Sequence, residues 1–240
     1  MPARHRRRRF SGVRLLVGCY EADGEQIAPL LPAGVTPWDD PVRCLVWGLD
    51  FPLPGVEAYR LAGVSVRVAL DRELHYFFPV AYSHLPEDPA AGRVGAAGPR
   101  RTSFIDFGGG GGQRLMTVGS TGRPLITLTT TPDRPADLTQ FGGPPLPLLQ
   151  LRGDPDIPRH GPGGAHRLVR TDVHLERADL RAGPGLVTVD MLCELDSLYA
   201  FAPARMLDCL YGTVELWAMP ERTVRTVTAD GGRDPGRQPW

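Results

Sequence analysis

The sequence predicts a mostly antiparallel β-sheet or barrel with few, short helices, and three observations predict it. Turn formers are abundant: 29 glycines and 25 prolines in 240 residues favour many turns over long helices. Val64, Val66, Val68 and Leu70 alternate with Ser65, Arg67 and Ala69, the period of two of a strand with one face inward. Strand-length apolar runs also follow one another without helical segments between them, which argues against parallel βαβ units.

Residues 14–20 read as the first strand. Asp23 then caps a short helix through Leu31, which Pro32 and Gly34 stop. Residues 42–49 form a nearly continuous apolar run, suited to a strand buried on both faces. After the loop carrying Pro52, Pro54 and Gly55 comes the alternating strand, and residues 74–82 continue as a strand rich in aromatics. Residues 101–107 are the next strand, ended by the five glycines 108–112. Those glycines lack the Gly-Lys-Ser/Thr that sets a cation on phosphates, so they read as a turn and not as a phosphate loop.

Residues 114–118 and 124–131 are expected to pair around Ser120-Thr121-Gly122-Arg123 as a hairpin. Residues 132–162 are rich in proline, glycine and aspartate and read as loop, apart from a strand at 146–151. Residues 168–180 and 186–195 are expected to form another hairpin, joined by residues 181–185. Pro203 suits the first turn of a short helix through Leu210. A closing strand at 211–219 ends on Pro220. Residues 11–228 therefore read as one domain between two disordered tails, a basic one at 1–10 and a Gly/Asp/Arg/Pro one at 229–240.

Net charge is zero and the isoelectric point is near 7.0, so no general electrostatic push toward nucleic acid or membrane exists. Cys19, Cys44, Cys193 and Cys209 lie far apart without CxxC spacing and read as small core residues of a reducing compartment. The run His5-Arg6-Arg7-Arg8-Arg9 reads as a solvated tail, because Arg14 and Glu21 bound too short an apolar stretch for an export signal. No segment approaches the ~18 apolar residues of a membrane-spanning helix. A cytoplasmic protein acting on a small-molecule substrate is expected, with no nucleic-acid or membrane partner; a homo-oligomer is left open. No cofactor is expected, and the absence of HExxH or a compact His/Asp cluster argues against metal. Gly119-Ser120 lacks the G-x-S-x-G of a serine nucleophile elbow.

The stretch that carries most chemistry is Gly92-Arg93, followed by Pro99-Arg100-Arg101. It resembles the active-site segment of the acetoacetate decarboxylase superfamily, where Gly-Arg-Glu opens the segment and aromatic-Pro-Lys-Lys closes it at the same spacing. Leu30-Leu31-Pro32-Ala33-Gly34-Val35, Asp40-Pro41-Val42-Arg43 and residues 196–207 resemble further family segments. The resemblance covers roughly residues 14–227. It implies an α+β fold around a curved, mostly antiparallel β-barrel that holds a small-molecule cavity.

In that family one lysine forms a Schiff base with a β-keto acid, and a neighbouring cation depresses its pKa, an arrangement known from acetoacetate decarboxylase itself. Here the two lysines are Arg100 and Arg101, and all 27 Lys+Arg are arginine, so the chain has no lysine at all. Arginine starts at ~12.5 or above. Neutrality at pH 7 would take a fall of at least ~5.5, roughly 7–8 kcal/mol. Its delocalised nitrogens do not form the imine either. Aligning by motif, the family's two catalytic-region glutamates fall nearest Leu45 and Leu61, so the resemblance implies that the decarboxylase machinery is missing as a set.

Arg100 can instead grip a carboxylate, a 1,3-dicarbonyl or an enolate bidentately, and a grip that strengthens as charge develops is catalytic. His75 and His84 are the candidate proton movers. Arg101, Arg14, Glu73 and Tyr82 are expected to bind substrate, and Tyr76 and Glu194 are further cavity candidates. Glu73, His75 and Phe77 should share one face of their strand. The expected activity is Schiff-base-independent chemistry on a polyketide-like, β-dicarbonyl or carboxylate-bearing small molecule: cyclisation, dehydration, isomerisation or aldol-type cleavage. The alternatives are a non-catalytic ligand-binding relative and a β-keto acid decarboxylase.

Overall fold

The computed structural model describes residues 8–52, 58–84, 100–120, 122–136, 145–153, 166–191, 198–219 and 221–227, with backbone alone at a few strand positions, Arg100 and Arg101 among them. Among these residues the chain is almost all strand. β1 is Arg8–Ala22, β2 Thr36–Pro37, β3 Val42–Phe51, β4 Tyr59–Leu70 and β5 Glu73–Ser83. Then come β6 Arg100–Thr102, β7 Phe104–Gly108, β8 Arg114–Ser120, β9 Arg123–Thr130, β10 Arg134–Ala136 and β11 Leu146–Gly153. β12 is His166–Gly183, β13 Gly185–Val189, β14 Arg205–Ala218 and β15 Arg222–Val227. The one α-helix among the described residues, α1 at Gly24–Ile27, is capped as expected: the Asp23 carboxylate accepts from the Glu25 N–H at 2.9 Å.

The strands form an 11-stranded sheet and a 4-stranded sheet. In the large sheet the hydrogen-bonded path runs β4–β3–β1–β14–β12–β11–β5, and β5 pairs again with β4, so seven strands close into a ring. Only β11–β5 and β5–β6 are parallel; the other pairings are antiparallel. The predicted curved, mostly antiparallel barrel is the observed fold.

Closure buries the inner face of each ring strand, the second sheet and α1 cover part of the outer face, and each face has its own apolar cluster. The inner cluster draws on all seven ring strands, with Val13, Leu15 and Val17 from β1, Leu45 from β3, Leu61 from β4 and Tyr76 from β5 among its members. The outer cluster joins the other faces of the same strands to α1 and to the second sheet, whose order is β13–β9–β8–β7. Gly18 and Gly48 let the second sheet approach. A Cβ at Gly18 would lie 2.8 Å from Leu128 and from Val187, and one at Gly48 would lie 2.8 Å from Phe107 Cζ.

Three expectations are corrected. β1 begins at Arg8, so residues 8–10 of the expected tail are strand: Arg9 pairs with Glu215 and lies 5.4 Å from the Trp217 ring, and Phe10 meets Phe51 edge-on at 5.2 Å. Residues 205–210 are not helix but the start of β14. There Glu21 lies opposite Arg205 in the β1 pairing, and its carboxylate takes two hydrogen bonds from the Arg205 guanidinium, at 2.7 and 2.5 Å. The helical turn forms earlier, as a 3₁₀ segment at Leu198–Phe201. Finally, β12 and β13 do not pair as a hairpin. The chain crosses sheets at Pro184, so β12 pairs with β14 and β11 while β13 pairs with β9. The hairpin of β8 and β9 is formed as expected.

Candidate functional site

The barrel interior is the concave space that the fold builds, and strand register decides which side chains reach it. β3 and β4 pair Leu45 with Ser65 and Leu49 with Leu61, and β4 and β5 pair Leu61 with Ser83 and Arg67 with Tyr76. Leu45, Leu61 and Tyr76 belong to the inner cluster, so Ser65, Arg67 and Ser83 share their face. Trp47 and Phe78 meet edge-on there, with ring centroids 5.2 Å apart. Leu45 and Leu61 thus lie inside the barrel, 8% and 3% exposed.

The polar groups inside cluster toward the Arg67 level. The Arg67 Nε lies 3.4 Å from Asp39 Oδ2, and the Arg43 Nε lies 3.9 Å from Asp39 Oδ1. Burial pushes the Tyr76 phenol up to about 12, with Arg67 pulling the other way, so it stays a neutral donor at physiological pH. Cys19 is pushed up to about 11 by burial and is correspondingly inert.

β6 adds Arg100–Thr102 to the barrel wall alongside β5: Arg100 lies opposite Ala81, Arg101 opposite Tyr82 and Thr102 opposite Ser83. Gly92, Arg93, Pro99 and Glu194 lie outside the described residues.

The other sequence-predicted residues fall toward two ends of β5, Glu73 and His75 at one and Tyr82, His84 and Arg14 at the other. His75 lies opposite Val68, which belongs to the outer cluster, and is 2% exposed. Its Nδ1–H donates to the Glu73 carbonyl at 3.0 Å, and its Nε2 accepts from Arg170 at 3.2 Å. Arg170 also donates to the Glu73 carboxylate at 2.8 Å and the Asp172 carboxylate at 2.7 Å. Glu73, His75 and Phe77 do share a face, but it is the one turned away from the interior. With both ring nitrogens bonded on the outer face, His75 holds β5 to β12.

His84 is nine residues further on, about 30 Å along an extended strand. Its Nδ1 accepts from the Arg60 backbone N–H at 3.0 Å, and its ring stacks at a tilt on Tyr59 at 5.9 Å. The Arg60 guanidinium lies 3.7 Å from Asp50 and 3.8 Å from Asp106. Arg14, also outside the barrel, pairs with the same Asp50 and lies 5.9 Å from the Phe107 ring. Tyr82 is buried in the outer cluster. Arg14, Tyr82, His84 and the β6 arginines thus gather at one end of the fold, and Glu73 and His75 at the other.

Burial, the dominant effect, holds the His75 pKa below the ordinary histidine range, and Arg170 adds to this against Glu73 and Asp172. An unfolded histidine takes its proton first as pH falls below ~6.5, so the stability from neutral His75 is present above that pH and lost as pH falls toward the lowered folded value. Between pH 7.5 and 5.5 the urea midpoint of His75→Gln should therefore fall less than that of wild type. Parallel pH slopes would show that His75 titrates alike in both states.

The sequence matches the family described as acetoacetate decarboxylase (ADC) over residues 1–226. The chain belongs to the acetoacetate decarboxylase family. Solved structures agree on the fold. Acetoacetate decarboxylase from Legionella pneumophila subsp. pneumophila str. Philadelphia 1 is 15% identical, with a TM-score of 0.77 over 94% of this chain and 93% of that one. An acetoacetate decarboxylase-like enzyme from Sphingomonas wittichii RW1 is 15% identical, with a TM-score of 0.73 over 93% of this chain and 94% of that one. The enduracididine biosynthesis enzyme MppR complexed with pyruvate is 18% identical, with a TM-score of 0.70 over 92% of this chain and 91% of that one. No curated protein sequence matches the chain. Among the described residues, no helix of this acetoacetate decarboxylase-family chain is long and apolar enough to cross a membrane, and no cluster of three metal-ligating side chains occurs.

Sequence reasoning missed Arg67 and Trp47. The signal was present in the alternation of β4, where Ser65 and Arg67 oppose the valines. The valine face was legible as buried, but closure of the ring buries the polar face too, leaving Ser65 1% exposed.

Proposed function

We propose that this chain is an enzyme of specialised, polyketide-like metabolism that works without a lysine imine. It takes a carboxylate-bearing or β-dicarbonyl small molecule into the barrel and stabilises its enolate with the Arg100 guanidinium. Cyclisation, dehydration, isomerisation and aldol-type cleavage all pass through such an enolate. The observation that carries this reading is the apolar interior at Leu45 and Leu61 in a family fold with no lysine anywhere in the chain. An apolar interior of that kind strengthens a guanidinium–enolate contact relative to water. MppR, a biosynthetic relative in fold, is described bound to pyruvate and to a condensation product of pyruvate and imidazole 4-carboxaldehyde, which supports carbonyl chemistry on a 2-oxo acid.

His75, with both ring nitrogens bonded on the outer face, favours one second reading, a non-catalytic ligand-binding relative. Deuterium exchange separates the two. In D₂O the protein should catalyse exchange of the C3 protons of 2-oxooctanoate, the proton leaving to solvent base and a deuteron returning to the enolate. Binding without exchange supports the second reading and overturns the first.

Borohydride added with the 2-oxo acid or with acetoacetate should leave no substrate-derived mass on any internal residue of the wild-type chain. An internal adduct would revive imine chemistry and the decarboxylase alternative.

A further inference from the structure

At the Arg67 end of the barrel, two guanidiniums share one carboxylate. Asp39 faces both Arg67 and Arg43, at 3.4 and 3.9 Å, and Arg43 is 44% exposed while Arg67 is 15% exposed. Arg43 can therefore spread its charge into water, and Arg67 cannot to the same degree. The Arg67 Nε and Asp39 Oδ2 are both buried without a hydrogen bond among the described residues, so the pair attract by charge but do not bond. The Arg67 guanidinium, a planar fork of five donors, makes no side-chain hydrogen bond to another described residue. Among the described residues this cation is in surplus over its carboxylate and keeps unused donors, and in a low-dielectric space such a group is an anion site by its chemistry. Tyr76, the residue opposite Arg67 on β5, brings a neutral phenol to the same level.

That level is remote from β6. From Tyr76 to Ala81, the residue opposite Arg100, is five residues of β5, roughly 16 Å at ~3.3 Å per residue. The wall between carries the Trp47–Phe78 pair and Leu45.

We propose that Arg67 and Tyr76 form a second anchoring subsite inside the barrel, which takes a carboxylate or enolic oxygen at the end of the substrate away from Arg100. The substrate class is then an elongated apolar molecule with oxygen functions at both ends. This deepens the enolate reading and rests on it for the Arg100 end.

The test uses the full chain, decanedioate and decanoate, with binding read by calorimetry. One added charge-assisted hydrogen bond is worth ~1.5–3 kcal/mol, so the diacid should bind roughly 10–100-fold tighter than the monoacid. Arg67→Gln should close that gap, and Tyr76→Phe should narrow it. Equal affinity for the two acids in wild type, or an unchanged gap in Arg67→Gln, overturns the proposal. Should Arg67→Gln fail to fold, an unchanged gap in Tyr76→Phe overturns it instead. Failure of the reading beneath it looks different: Arg100→Ala would then leave the affinity for decanoate unaltered, whatever Arg67 does.

Discussion

Alanine at Arg100 should slow deuterium exchange into 2-oxooctanoate by about 10²–10³-fold, the range for losing one preorganised donor to a developing oxyanion. The loss should fall on turnover more than on affinity, because negative charge on the carbonyl oxygen grows as the α-proton leaves, and the guanidinium gains most in that state. Arg100→Lys separates charge from imine chemistry. It keeps a cation and supplies the only lysine of the chain, next to Arg101, in a wall whose inner neighbours include Leu45 and Leu61. Desolvation and a like charge both lower a lysine pKa. This variant should therefore gain the borohydride-trapped adduct that wild type lacks. Exchange at the wild-type rate in Arg100→Ala would remove Arg100 from the mechanism.

Much of the fold was legible because period-two patterning and turn chemistry are local. The alternation at residues 64–70, the apolar run at 42–49 and the Ser120–Arg123 turn each became the expected strand or hairpin. The failures share a cause in tertiary pairing. Pro203 is a sound helix starter, yet residues 205–210 are drawn into β14 by a whole strand of β1 and by the Glu21–Arg205 pair. Gly183-Pro184-Gly185 looks like a hairpin turn, but its two glycines let the chain pass between sheets against the Thr129 and Thr131 backbones.

The site was less legible, because face assignment depends on closure. His75 on an aromatic strand carries the marks of a catalytic residue, and only the register with Val68 and the reach of Arg170 from β12 reveal that it is a tie between strands. Arg67 looked like the solvated side of a one-faced strand until β5 returned to β4 and β11. The leucines at 45 and 61 were visible as residues, but their place inside the barrel follows from the ring.

Closure of that ring is itself testable, and Gly212→Ala should be among the most destabilising small substitutions in the chain. Gly212 lies opposite Leu15 of β1 and Leu180 of β12, beside the register shift between Glu176 and Asp179. An added Cβ would overlap the Asp179 carbonyl oxygen and come within 2.9 Å of the carbonyl carbon and of Leu180 Cδ2. The obstacle is backbone, which cannot swing aside as a side-chain end can. Separating β12 from β14 there would break ladder hydrogen bonds in the wall. Overpacking costs ~1–3 kcal/mol when side chains can yield and more when they cannot, so a loss of about 3 kcal/mol is expected, or roughly 6–12 °C in Tm for a chain of this size. Gly111→Ala is the control: its φ of +59° is costly for alanine, but no atom lies within 4 Å, so it should lose only ~1–2 kcal/mol. If Gly212→Ala melts no lower than the Gly111 variant, β14 does not meet β12 in this register and the seven-stranded ring is wrongly closed.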